Sequence, residues 1–147
     1  MKKREGPSPI PPPEYGRSLQ SLTVNLLVRD IKRAVVFQRE VLGATIVYTD
    51  PDLAIVTGYG AQWMLHSDHT YLGHPMHWVA NSTQQRGAGL EVRLHGCDPD
   101  KAEAAARELG FPILKGATDQ PDHGLREVHI ADDEGYIWVP DIPLADD

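Results

Sequence analysis

Hydrophobic and polar positions repeat with different periods along the chain, and each change of period marks an element. Leu22 to Val28 (LTVNLLV) is a Leu- and Val-rich run of the kind strands are made of. It ends at Arg29-Asp30 and passes into IKRAVVFQREVLG, where Ile31, Ala34, Val35, Val41 and Leu42 fall on one helical face. Asp30 has the side chain for the helix N-cap, and Gly43 has the backbone freedom for the residue just past its end. Three short strand-like runs follow, ATIVYTD, LAIVTGY and AQWMLHSD, separated by turn chemistry at Asp50-Pro51-Asp52 and Gly58-Tyr59-Gly60.

The same order then recurs. Leu90 to Leu94 reads as a strand, Asp98 as an N-cap with Pro99 at the first helical position, and Ala102, Ala105, Ala106 and Leu109 as an apolar stripe. Gly110 ends that helix and Pro112 prevents its continuation. FPILKG, LREVHIA and GYIWVPDI complete the set, the last two joined by Asp132-Asp133-Glu134-Gly135. Setting Asp30 on Asp98 gives a period of 67 to 68 residues, with a one-residue slip between the two helices. A repeat this long is an internal duplication of a β-α-β-β-β unit rather than a solenoid.

These runs predict one domain, 18–147, made of modules 22–66 and 90–142 joined by a long loop, 67–89. Five of the 12 prolines fall in the first 13 residues, so 1–17 reads as a flexible proline-rich arm outside the fold. At 41% hydrophobic and 24% charged, 147 residues are enough for one core. A formal charge of −7 argues against nucleic acid as a partner, because phosphate binding wants a basic face. No apolar run approaches a membrane span and the basic start has no apolar stretch behind it, so no membrane association and a cytoplasmic location are expected. Cys97 is alone, which excludes an internal disulfide and a cysteine-based zinc site.

The duplicated unit, the phrase VRDIKRAVVFQREVLG and the phrase REVHIADDEGYIWV resemble the vicinal oxygen chelate superfamily, which includes glyoxalase I, bleomycin-resistance proteins, fosfomycin-resistance enzymes and extradiol dioxygenases. The resemblance spans Leu22 to Ile142. It implies an α+β fold in which two tandem β-α-β-β-β modules form an open, barrel-like mixed sheet around a cleft, with helices outside, and it implies a homodimer. It also implies a divalent metal held by His, Glu or Gln from the first and last strands of each module. Matched position by position, those ligands fall on Thr23, on or near Met64 with His66 two residues on, on Glu91, and on Val139. Threonine is a poor ligand and valine is none, so the usual site reads as lost.

Strand alternation under this orientation sends Leu22, Val24, Leu26 and Val28, and likewise Leu90, Val92 and Leu94, toward the helices. Thr23, Asn25, Leu27 and Arg29 then face the cleft, as do Glu91, Arg93 and His95. Trp63 and Trp138 fall on the helix side by parity, whereas the face of His129 is left open. Two functional classes follow. The first is a small-molecule-binding protein of the glyoxalase/bleomycin-resistance type that holds a polar or zwitterionic ligand on Asn25, Glu91, Arg93, His95 and His66, without a cofactor. Here Arg93 offers its donor fork to an anionic group of the ligand, so Arg93→Met would weaken binding with little loss of stability, and His95 would add a pH dependence near neutrality. The second is a metal-dependent lyase, isomerase or dioxygenase with a divalent ion on His66, Glu91 and a histidine of the 69–77 stretch. A structural or regulatory dimer is a third reading.

The spacing of His66, His69, His74 and His77 matches no helical zinc pattern. With Gly73 and Pro75 among them, they read as a packed loop or a subunit contact, to which Tyr71, Met76 and Trp78 add an aromatic patch and the arm a strap across the partner.

Overall fold

The computed structural model describes residues 1–145. The first module contains β1 (Val24–Val28), α2 (Ile31–Val36), β2 (Thr45–Thr49), β3 (Leu53–Gly58) and β4 (Ala61–Ser67), after a short α1 (Pro12–Ser18). The second contains β5 (Glu91–His95), α4 (Pro99–Leu109), β6 (Ile113–Gln120), β7 (Leu125–Ala131) and β8 (Ile137–Pro143). Each module is a mixed four-stranded sheet, in the orders β1-β4-β3-β2 and β5-β8-β7-β6, with only the β1–β4 and β5–β8 pairs parallel. The duplicated α+β architecture with open sheets is thus the one the sequence predicts.

Caps fix the two helices where expected. The Asp30 carboxylate accepts from Arg33 N at 3.2 Å, and that of Asp98 accepts from Asp100 N at 3.0 Å and Lys101 N at 3.2 Å. The Asp30 to Gly43 interval is one residue longer than that from Asp98 to Gly110. The extra residue is absorbed as a π turn, Phe37–Val41, closed by Leu42 N donating to Phe37 O at 3.3 Å. The slip between the repeats is therefore a widened helical turn and not a loop insertion.

One core serves both modules. Leu26, Ile31, Val35 and Phe37 belong to the same buried cluster as Ala102, Ala106, Ile130 and Trp138. Phe37 meets Phe111 edge-on at 4.9 Å between ring centroids, and Trp63 meets Trp138 at 5.8 Å. Both tryptophans lie on the helix side, as parity predicts. The helix-side faces of the two sheets meet in this core, and the sheets are separate and open, so each module presents its own helix-free face. Leu22 and Leu90, expected to point toward the helices, precede their strands and are 83% and 47% exposed.

Residues 67–89 are more ordered than a structureless connection. A 3-10 turn at Asp68–Tyr71 leads into α3 (Pro75–Asn81), with Pro75 in its first turn and His74 as N-cap, its Nδ1 accepting from Met76 N at 3.0 Å. The proline that looks like a loop breaker is a helix starter. The end of this linker is clamped to the second module: Arg86 N donates to Glu134 O at 3.2 Å, and Gly87 lies so close that a Cβ there would stand 2.6 Å from Tyr136 Cα.

The arm does not lie outside the fold either. Lys3 N and Arg4 N donate to the Asp52 carboxylate at 2.7 and 3.1 Å, and Tyr15 Oη accepts from Gln62 Nε2 at 2.8 Å. Its prolines exclude a regular ladder, but they leave free backbone amides that a buried carboxylate captures. Its docking is on its own module, where the sequence expects a partner. Among the described residues no helix is long and apolar enough to cross a membrane.

Candidate functional site

The helix-free face of the first sheet is built on the β1–β4 register, which pairs Asn25 with Met64 and Leu27 with His66. His66 Nδ1 and Asn25 Oδ1 are 2.6 Å apart, and Asn25 Nδ2 donates to Tyr71 Oη at 2.8 Å. Because Asn25 Oδ1 is an acceptor, His66 Nδ1 carries the proton and Nε2 keeps a lone pair. Burial lowers the His66 pKa below the ordinary imidazole value, outweighing the opposing pull of Asp50, so the ring is neutral at pH 7. The Tyr71 ring packs edge-on against His66 at 5.7 Å and against His74 at 5.1 Å.

Asp52 holds the arm and this face together. Besides the two arm amides it bonds His69 Nε2 at 2.7 Å, whose Nδ1 lies 2.8 Å from Ser67 Oγ. Burial alone would raise the Asp52 pKa, but the hydrogen bonds from His69, Lys3 N and Arg4 N outweigh it and hold the carboxyl at about 2. A depressed folded value stabilises the docked arm above the ordinary 3.8 and is lost as pH falls toward 2. The Lys3 and Arg4 amide resonances are therefore expected to titrate together with a midpoint near 2, and a midpoint near 4 would mean that Asp52 does not hold the arm.

The helix-free face of the second sheet carries a denser set. Glu91, Arg93 and His95 alternate along β5 as expected, and the parallel register puts Arg93 opposite Val139 and His95 opposite Asp141. Arg93 Nη1 donates to Glu91 Oε2 at 3.0 Å, and its Nη2 donates to Glu127 Oε2 and, at 3.4 Å, to Asp141 Oδ2. His95 Nδ1 is 2.8 Å from Asp141 Oδ1, and His129 Nε2 is 3.0 Å from Glu91 Oε1. Glu127 and Asp141 are buried, whereas the His95 side chain is 73% exposed. Arg93, together with His129, lowers the Glu91 pKa.

Three carboxylates thus share one guanidinium and two imidazoles, and the face is acidic overall. This corrects the role expected of Arg93: its fork already points at the protein's own carboxylates and is not held open for an anion. The sequence reading misses Glu127 and Asp141 and leaves His129 unassigned. Parity contains the signal, because Asp141 is two residues from Val139 on β8 and Glu127 two from His129 on β7. Only the register shows that these strands bring them to Arg93.

The two groups of candidate residues are not brought together. Asn25 and His66 lie on one outward face, Glu91, Arg93 and His95 on the other, and no hydrogen bond or ion pair among the described residues joins them. Within one chain these donors therefore do not converge on a chelated divalent metal. Val139 is fully buried and aliphatic, Glu91 is engaged by Arg93 and His129, and His66 belongs to the other sheet. Cys97 is a buried residue of the strand-to-helix turn, its Sγ donating to Leu42 O at 3.4 Å.

Residues 20–139 match the family model described as the Glyoxalase/Bleomycin resistance protein/Dioxygenase superfamily. No curated protein matches the chain. Among solved structures, a glyoxalase/bleomycin resistance protein/dioxygenase family enzyme from Burkholderia phytofirmans PsJN superposes with a TM-score of 0.66 at 16% identity, over 83% of this chain and 97% of that one. TioX from Micromonospora sp. ML1 gives 0.61 at 21% identity, over 87% and 99%. The fosfomycin resistance protein FosX from Listeria monocytogenes gives 0.62 at 12%, over 84% and 93%. At these identities the likeness is one of fold.

Proposed function

Because the chain belongs to the glyoxalase/bleomycin resistance protein/dioxygenase superfamily, we propose that it is a small-molecule-binding protein that holds a polar ligand with a basic group on the helix-free face of its second sheet. The observation that carries this reading is the excess of carboxylates there: Glu91, Glu127 and Asp141 against Arg93 and Lys115, the latter opposite His129. A protonated amine or amidinium meets complementary charge at Glu91, which is 48% exposed at the rim, and a zwitterion adds a contact to His95.

Size-matched amines, zwitterions and carboxylates separate this reading from the anion-binding one. In a thermal-shift panel at pH 7.5 the amines and zwitterions are expected to stabilise the protein and the carboxylates are not. Glu91→Gln keeps the shape and removes the rim charge, and it should weaken amine binding by about 1.5 to 3 kcal/mol, the range for a hydrogen bond to a charged group. Unchanged affinity would take the ligand off this face.

The reading includes a homodimer. Met76, Trp78 and Val79 of α3 are 43%, 75% and 47% exposed, and Leu72 beside them is 56% exposed. Such a cluster on an ordered linker is the kind of surface a second copy covers. Sedimentation is expected to give a dimer at micromolar concentration that Trp78→Glu converts to monomer, and a monomeric wild type would remove this part of the proposal.

A further inference from the structure

Between the arm and the first sheet lies a cavity of about 200 Å³. Its roof comes from Ile10, Pro12 and Tyr15 of the arm and its floor from Ile55, Met64 and His66 of the outward face. The roof is pinned at both ends, by the Lys3 and Arg4 amides on Asp52 and by Tyr15 on Gln62, and it bows over the cavity between them. Arg4 at the margin is engaged within the protein, its Nη1 donating to Asp50 at 3.2 Å, and Tyr48 Oη donates to the same carboxylate at 2.6 Å, whereas Lys2 lines the margin with no ion pair among the described residues. What the floor offers is the bare Nε2 of a neutral His66, which accepts from no group among the described residues, set among apolar walls.

We propose that the N-terminal arm is the roof of a second ligand subsite, on the first sheet, which takes an uncharged group with an apolar body and one hydrogen-bond donor directed at His66 Nε2. This subsite rests on the reading above only in assigning ligands to the outward faces, and its chemistry is the opposite of that of the acidic second face. The cavity has room for a single substituted ring. A phenol, an indole or an anilide has the right combination of an apolar body and one N–H or O–H. A cation does not suit it, because its walls hold no unengaged carboxylate to replace the hydration of the charge.

Phenol and anisole test the assignment, because they share the ring and differ in the donor. Each is titrated into the full chain while the His66 ring and the methyl groups of Ile10, Ile55 and Met64 are followed by NMR. Phenol is expected to shift all four, saturably, and to bind about 5-fold more tightly than anisole, the worth of one neutral hydrogen bond. His66→Phe keeps a ring in place and should abolish that preference. Ile10→Glu, on the arm and remote from the core, should weaken both ligands about tenfold by charging the roof. Absence of saturable shifts, equal binding of phenol and anisole to the unaltered protein, or indifference to Ile10→Glu would each overturn the proposal. Amine binding and its dependence on Glu91 are measured on the same samples, so that either subsite can fail while the other stands.

Discussion

Replacing Arg86 with Met is expected to lower stability by about 3 kcal/mol, with a fall in Tm of about 10 °C for a chain of this size. The guanidinium is 1% exposed and forms a fork to Asp68 through two bonds of 2.7 Å, while Nη1 also donates to Leu27 O at 3.2 Å. Glu134, itself buried, is 3.5 Å away. One cation therefore joins the linker, the end of β1 and the turn of the second module, and methionine would leave Asp68 without its cation while Glu134 keeps only Arg29. The figure falls at the low end of the range for breaking a buried pair because Arg86 Nε is buried without a partner, a cost that the substitution removes. Urea denaturation monitored by tryptophan fluorescence measures it, and a loss below about 1 kcal/mol would mean that the modules are held by their apolar core alone.

Arg93→Met is expected to cost a similar amount, about 3 kcal/mol at pH 7, where the sequence alone suggests little change in stability. The difference lies in what surrounds the side chain. Glu127 and Asp141, with side chains only 7% and 1% exposed, keep Arg93 as their shared cation, and without it two buried carboxylates are left without that counter-charge. Urea denaturation at pH 7 measures the deficit, and a loss below about 1 kcal/mol would exclude a charge-sharing role for Arg93.

Signals that act within a few residues are legible in this sequence. Asp30, Asp98, Gly43 and Gly110 punctuate the helices through their own backbone and side-chain chemistry, and the period-2 runs become strands in the expected order. The outward face of the second sheet is legible as far as Glu91, Arg93 and His95, because alternation alone puts them together. Arg93's partners are not, since they arrive from β7 and β8, 34 and 48 residues away, through strand pairings that no local signal specifies. The arm and the histidine-rich linker fail for a related reason. Proline content reports that a segment makes no ladder, but it says nothing of a buried carboxylate such as Asp52 waiting for two amides. The expected meeting of His66 with Glu91 treats two repeats as two halves of one cleft. Within one chain the two residues lie on different sheets.

The π turn has a consequence for how acid acts on the two halves. Trp63 and Trp138 occupy matching strand positions, opposite Val24 and Val92, and each must find an acceptor for its indole N–H away from water. In the first half the widened turn rolls Gln38 into the core, where its amide oxygen takes the Trp63 proton at 2.8 Å. The second helix lacks the extra residue and makes no such turn, and Trp138 donates instead to Asp132 at 2.9 Å. An amide does not ionise, whereas burial raises the Asp132 carboxyl to about 6 despite its bonds from Trp138 and from the Tyr136 and Glu134 amides. Mild acid therefore relieves a desolvated charge beneath one tryptophan and leaves the other untouched. A single inserted residue separates two tryptophan sites that are otherwise twins, one indifferent to protons and one that tightens as they arrive.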